Sequence, residues 1–290
     1  MEAFNLSRRF SIWGNSALVI ARLTFREAAR RWILWVALIM GILFLVVYSI
    51  GYHEIYKEIV REGTNRLQTN EFANFLQMAG LYAVNFLTLI IAVLTSVDTL
   101  AGEINSGTIH TLVSKPIRRW QIVIGKWLGF SGMLTLYQLM MAGGVILAGY
   151  IISGTMGHNL AIGLFLMWMN VILVLSISIC GGAILSTLAN GVLTFGLYGV
   201  AFIGGWVEQF GALLKNPTAV NIGIITGLIM PSEALWKRAV YEMQSPLAAT
   251  FGITPFSSIS TPSPLMVIYA GIYTGIAISL AILFFNKRDL

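Results

Sequence analysis

Few side chains in this sequence are spaced for covalent chemistry. The histidines, His53, His110 and His158, lie in three separate polar stretches, so neither a Ser-His-Asp set nor a His-rich metal pattern can be built from neighbouring positions. Cys180 is the single cysteine, which excludes an intrachain disulfide and a Cys-rich metal centre. Set in Ile177-Ser178-Ile179-Cys180-Gly181, it reads as a small residue packed in a helix. The GxxxxGK[ST] loop that cradles nucleotide phosphates is missing, and Gly125-Lys126-Trp127 does not replace it. No catalytic residue, metal ligand or cofactor contact is therefore expected in this chain. Its charged side chains instead gather between long apolar runs, where their spacing suits docking and anchoring.

Those runs dominate the chain. Of its 290 residues 57% are hydrophobic and 10% charged, with a mean hydropathy of +0.80, a composition that cannot cover the surface of a soluble globule. Charge-free stretches at 33–52, 78–97, 127–152, 160–187, 191–207 and 265–285 are each long enough to cross ~30 Å of hydrocarbon. They are continuous rather than alternating, which disfavours a β-barrel. The predicted fold class is all-α integral membrane, one transmembrane domain over residues 1–290 with six transmembrane helices. Leu188, Ala189 and Asn190 are the expected turn between the fourth and fifth. A further apolar segment, Ala219 to Met230, is too short to cross and reads as re-entrant or interfacial. Pro217, Pro231, Pro246, Pro255, Pro262 and Pro264 concentrate irregular backbone in the 208–264 segment.

Charge orients the spans. Residues 1–32 carry a net +4, residues 98–126 +2 and residues 286–290 +1, whereas 53–77 carry −1 and 208–264 carry 0. The positive-inside rule then places both termini and the 98–126 loop in the cytoplasm, with 208–264 outside. Anionic lipid explains the basicity without nucleic acid. Within 1–32 an interfacial amphipathic helix is expected, with Ala21, Phe25, Ala28 and Trp32 on one side and Arg22, Arg26 and Arg30 on another. The first 31 residues are polar and basic and the first apolar run is long, so no cleavable signal is expected. On the outer side, Glu54, Lys57, Glu58, Arg61 and Glu62 read as the solvated face of a helix. The group Glu233, Trp236, Lys237 and Arg238 reads as interfacial anchoring.

The 98–126 loop has the most distinctive pattern. It continues the second span through Asp98 and Glu103, turns at Gly107, and presents Thr108, Ile109, Leu112 and Val113 in a short segment with apolar side chains available for docking. Ser114-Lys115-Pro116 breaks the chain again, because a residue before proline is biased out of the helical region. A second amphipathic helix with Arg118, Arg119 and Lys126 then leads into the third span. Glu103, Gly107-Thr108, Leu112, Ser114, Pro116, Arg118 or Arg119, and Gly125-Lys126, with the closing Arg288-Asp289, resemble the permease subunits of type-2 ABC exporters, and most closely the stand-alone permeases of the sodium-extrusion, nitrous-oxide-reductase-maturation and antibiotic-resistance types.

The resemblance implies that residues 104–115 form a coupling helix seated in a cleft of an ABC ATPase subunit, with two permeases and two ATPases in the working unit and ATP and Mg held by the ATPase. Arg118, Arg119 and Lys126 read equally as headgroup or ATPase contacts, and Glu103 as a structural ion-pairing residue. The expected function is the transmembrane permease of an ATP-driven exporter in a prokaryotic plasma membrane, working by alternating access. With no ionisable residue inside the assigned spans, an apolar or amphipathic substrate is favoured over a bare ion. A passive channel or scaffold, or an intramembrane enzyme, is the alternative from a different class.

Overall fold

In lipid every backbone N–H and C=O must find its partner within the protein, so uninterrupted apolar runs become helices. The structure is a computed structural model that describes residues 2–63, 65–107, 117–245 and 261–288, with side chains from residue 16 onward. Its elements are α1 (Glu2–Arg30), α2 (Trp32–Arg61), α3 (Arg66–Ser96), α4 (Ala101–Asn105), α5 (Arg119–Ser153), α6 (Leu160–Gly182), α7 (Thr187–Leu213), α8 (Pro217–Ile229), α9 (Ser232–Met243) and α10 (Pro264–Lys287). Six helices among the described residues are long and apolar enough to cross a membrane: α2, α3 with its extension into α4, α5, α6, α7 and α10. The chain is an all-helical integral membrane protein.

α6 is the axis of the bundle and packs against α3, α5, α7, α9 and α10. Met167, Leu173, Val174, Leu175 and Ile179 bury all around it, as expected for a helix apolar on every face. Burial falls off outward: 61% of the most apolar stretch of α3 and of α6 is buried, against 11% for α2 and 17% for α10. α2 and α10 therefore present broad apolar surfaces, including Ile39, Val47, Ile50, Ile268 and Ile272, to whatever surrounds the chain.

Helix ends differ from the hydropathy boundaries in instructive ways. The turn between the fourth and fifth spans falls at Ala183–Ser186, not at Leu188 to Asn190. Ala183, Ile184 and Leu185 are apolar but non-helical, a distinction hydropathy cannot make. Asn190 lies inside α7, where its amide Nδ2 donates to the carbonyls of Val97 (3.1 Å) and Ser178 (2.9 Å) and ties three spans together. The expected amphipathic helix before the third span is instead the first turns of one 35-residue helix, α5. Glu54 to Arg61 likewise continue α2, with their charges exposed.

The N-terminal helix is present, and its buried face overlaps the expected one at Ala28 but is shifted toward Ala17, Ile20 and Thr24. Ala17, Ile20, Thr24 and Ala28 are buried, Phe25 is half-buried, and Trp32 lies beyond the helix at 79% exposure. The cause is close packing on α5. A Cβ at Gly125 would stand 2.8 Å from the Ala17 carbonyl oxygen, and one at Gly129 2.7 Å from that of Ala21, so only glycine lets the two backbones approach. Arg22, Arg26 and Arg30 remain exposed, as the charge stripe requires.

α8 and α9 are joined by a 107° bend at Met230–Pro231, matching the irregular segment expected before the last span. α8 packs along α7, where a Cβ at Gly223 would meet the Gly204 carbonyl oxygen at 2.7 Å, while Gly227 has no such constraint. The expected anchoring group is overturned here. Trp236 is 3% and Lys237 6% exposed, because α9 turns inward against α6 and α7. Lys237 pairs with Glu208 of α7 at 2.8 Å, and Arg238 with Glu242 at 2.5 Å.

Candidate functional site

The described part of the 98–126 loop is anchored at both ends. After α3 the chain turns at Val97 to Leu100 and re-forms one short helix, α4, whose end is closed by the Ser106 and Gly107 amides donating to the Gly102 and Ile104 carbonyls. Gly107 adopts φ +72°, a left-handed conformation that a side chain would strain. Thr108, Ile109, Leu112, Val113, Ser114 and Pro116 lie outside the described residues. The chain is described again at Ile117. The Arg118 amide donates to Gln121 Oε1 at 3.0 Å, which caps the start of α5.

Glu103 and Lys126 bring these two ends together. Lys126 Nζ lies 2.5 Å from Glu103 Oε1 and the lysine is 3% exposed. A buried ammonium without its carboxylate would carry a large desolvation penalty, so this pair fixes α4 against the first turns of α5. The same Lys126 amine also reaches the Thr99 carbonyl at 3.5 Å. Lys126 is therefore not a headgroup contact, while Glu103 is the structural ion-pairing residue its sequence context suggested. Gly125 and Lys126 have separate physical roles in adjacent positions. One admits α1, and the other holds α4.

Arg118 is exposed. Arg119 points the other way: its Nη1 donates to the carbonyls of Asn286 (3.0 Å) and Arg288 (2.7 Å). A guanidinium on the last carbonyls of α10 satisfies groups that the helix leaves unpaired and complements its dipole. Arg288 in turn donates to the Ala183 carbonyl at 2.8 Å, at the end of α6. Asp98 Oδ1 accepts from the Thr187 hydroxyl at 2.8 Å at the start of α7, and Ser96 Oγ bonds Ser178 Oγ at 2.8 Å.

One end of the bundle thus gathers α3, α4, α5, α6, α7 and α10 into a hydrogen-bonded collar around the loop. Sequence reasoning found Glu103, Gly107, Arg118 and Arg119, and found Arg288 as part of the closing pattern. It missed Asp98, Gln121, Thr187 and Asn190 as members of the collar. Only Gln121 carried a local signal, three residues after Arg118 at a helix start.

No group of three or more His, Cys, Asp or Glu side chains able to hold a metal occurs among the described residues. A search of curated proteins finds no match. A sequence profile of the family described as ABC-2 family transporter protein matches residues 18–290, from α1 through the closing tail. On that match, and with six membrane-crossing helices to support it, this chain belongs to the ABC-2 transporter family and is a transmembrane subunit of an ABC transporter, a class that works with an ATPase partner.

Proposed function

We propose that the chain is the permease of an ATP-driven exporter, working as two copies with two copies of a separate ATPase subunit that binds ATP and Mg. The observation that carries this reading is the closure of the 98–126 loop by Glu103 and Lys126 at 2.5 Å. That closure gives residues 104–115 a rigid mount, and a mount is what a segment needs if it is to transmit force from a partner rather than fold back under load. Thr108, Ile109, Leu112 and Val113 dock in the ATPase cleft, Ser114 and Pro116 end the segment, and Arg118 faces the ATPase or the headgroups. Both termini and this loop lie in the cytoplasm of a prokaryotic plasma membrane.

The collar then defines the path of motion. Displacement of the loop reaches α3 through Thr99 and Glu103, α5 through Lys126, α7 through Asp98 and Thr187, and α10 through Arg119. Closure of the ATPase pair around ATP tilts these helices together and alternates access to a pathway between the two permease copies. An apolar or amphipathic substrate suits a bundle whose α2 and α10 faces are apolar.

Coexpression with the ATPase subunit from the same locus tests the reading. The purified chain alone should hydrolyse no ATP, and the wild type should copurify with the ATPase. Leu112→Arg should abolish copurification or ATP-driven transport, because a charge left unpaired in a docking cleft costs roughly 3–5 kcal/mol. Membrane insertion should be unchanged, since Leu112 is outside every span. Wild-type assembly and transport by Leu112→Arg would remove the loop from the coupling role.

A further inference from the structure

At the end of the bundle away from the collar, α7, α8, α9 and α10 line a half-open cavity of about 230 Å³. Its wall has two kinds of surface. Ile224, Leu228 and Met266 make an apolar side, and Glu208, Glu233 and Lys237 make a charged one. The volume exceeds the ~150 Å³ of an apolar cavity that accepts benzene, so a small organic body fits.

Carboxyl groups outnumber ammonium groups in this wall. Lys237 Nζ is committed to Glu208 Oε2 at 2.8 Å, and both residues are buried. Glu233 lines the same cavity and feels the charges of Lys237 and Glu208. Among the described residues it makes no ion pair or hydrogen bond of its own. When Glu233 is ionised, two carboxylates face one ammonium, and the cluster is one positive charge short.

The ligand chemistry follows from that deficit. An anion is excluded by its sign. A neutral apolar ligand would desolvate Glu233 and compensate nothing. A hard metal ion prefers several oxygen ligands, whereas one of the two carboxylates is already engaged by Lys237 and no three-ligand group exists among the described residues. An ammonium supplies the missing charge and three N–H donors, and an attached apolar body uses the remaining wall.

We propose that this cavity binds a protonated amine with an apolar body, its ammonium against Glu233 and its body along Ile224, Leu228 and Met266. The inference rests on the export reading above and gives its amphipathic substrate a chemical class and a location.

Tritiated phenethylamine is the probe, measured by equilibrium binding to the full chain in lipid nanodiscs. Saturable binding at one site per chain is expected, resistant to excess phenethyl alcohol and to equal concentrations of sodium chloride. Glu233→Gln should weaken it by about tenfold or more, the loss expected for one hydrogen bond to a charged group. Met266→Trp, which fills the apolar side and leaves every charge in place, should weaken it too, so the idea stays testable if either variant elutes abnormally. Unchanged binding in both variants overturns the assignment. So does displacement by the alcohol, which means no charge is read, or by sodium, which means a bare cation site, or the absence of saturable binding to wild type. Copurification with the ATPase is scored on the same preparations. No amine binding by the wild type with the ATPase retained sinks this inference alone, and amine binding by the wild type without ATPase copurification sinks the export reading while the site stands.

Discussion

Each end of this bundle buries a carboxylate–lysine pair, but the two pairs are balanced differently. At the collar, Glu103 of α4 and Lys126 of α5 form a one-to-one pair. At the far end Lys237 serves Glu208 at 2.8 Å, and Glu233 adds a second carboxyl group beside an open volume of about 230 Å³. α7 connects the two ends. From Thr187 at the collar to Glu208 its axis spans roughly 30 Å at ~1.5 Å per residue, close to the hydrocarbon thickness of a bilayer. A neutral pair in a packed interface can only fasten. An unbalanced group beside a cavity leaves room for a charge brought from outside. The same residue types therefore serve rigidity at one end and, in the proposal above, recognition at the other.

The two ends should face opposite sides of a membrane, an expectation with an all-or-none test. In a Cys180→Ser background, single cysteines at Glu62 and Leu214, both exposed and both at far-end turns, should react with an impermeant thiol reagent applied to intact cells. One at Ser106, exposed beside the collar, should react only after permeabilisation. Labelling of Ser106 in intact cells would invert or break the six-span topology.

The next largest effect should separate the two charge clusters. Lys126→Ala leaves Glu103 without its ammonium in a buried interface and should cost roughly 3–5 kcal/mol, read as a lower unfolding temperature in detergent and as loss of ATPase copurification. Pairing it with Glu103→Gln should restore much of the stability. Glu233→Gln, by contrast, removes a charge that repels Glu208 and should leave stability unchanged or improved. Equal losses from both substitutions would mean that Glu233 also fastens, and the contrast between the ends would disappear.

Packing at the collar gives a smaller effect. Gly129→Leu places a side chain where the Ala21 carbonyl oxygen would lie 2.7 Å from its Cβ, and overpacking of this kind costs ~1–3 kcal/mol. Proteolysis should then reach α1 sooner, with the far end unaffected. Arg118→Ala should be mildest. An exposed charge at a headgroup surface contributes ~1 kcal/mol, so ATPase copurification should persist and only the sensitivity of the complex to salt should change. Loss of assembly in Arg118→Ala would place this guanidinium in the ATPase contact.

Much of the architecture was legible because its cause is one-dimensional. A stretch of twenty apolar residues has no stable state in lipid other than a helix, so span number and fold class follow from counting, and the prolines after Asn216 mark where regular backbone must fail. The loop pattern from Glu103 to Lys126, with the closing Arg288, was enough to suggest the family. Its charges were misread only where they meet across space. Lys126 and Lys237 each looked like a surface cation next to an aromatic residue, Trp127 or Trp236, which is also how an interfacial anchor reads. Their carboxylates lie 23 and 29 positions away in sequence, beyond any helical spacing.

The sequence by itself thus determined a membrane-embedded helical bundle, its irregular region before the last span and its polar loop. Hydropathy and charge bias are sums over many residues and survive small errors in position. Tertiary structure alone decided that α1 buries Ala17, Ile20, Thr24 and Ala28 rather than the adjoining face, that Asn190 bridges three spans instead of closing a turn, and that Glu233 is left facing a cavity. Those outcomes depend on which helices touch and at what depth. A shift of one position around a helix changes hydropathy hardly at all, yet it decides whether a side chain meets lipid, a backbone carbonyl or an opposite charge.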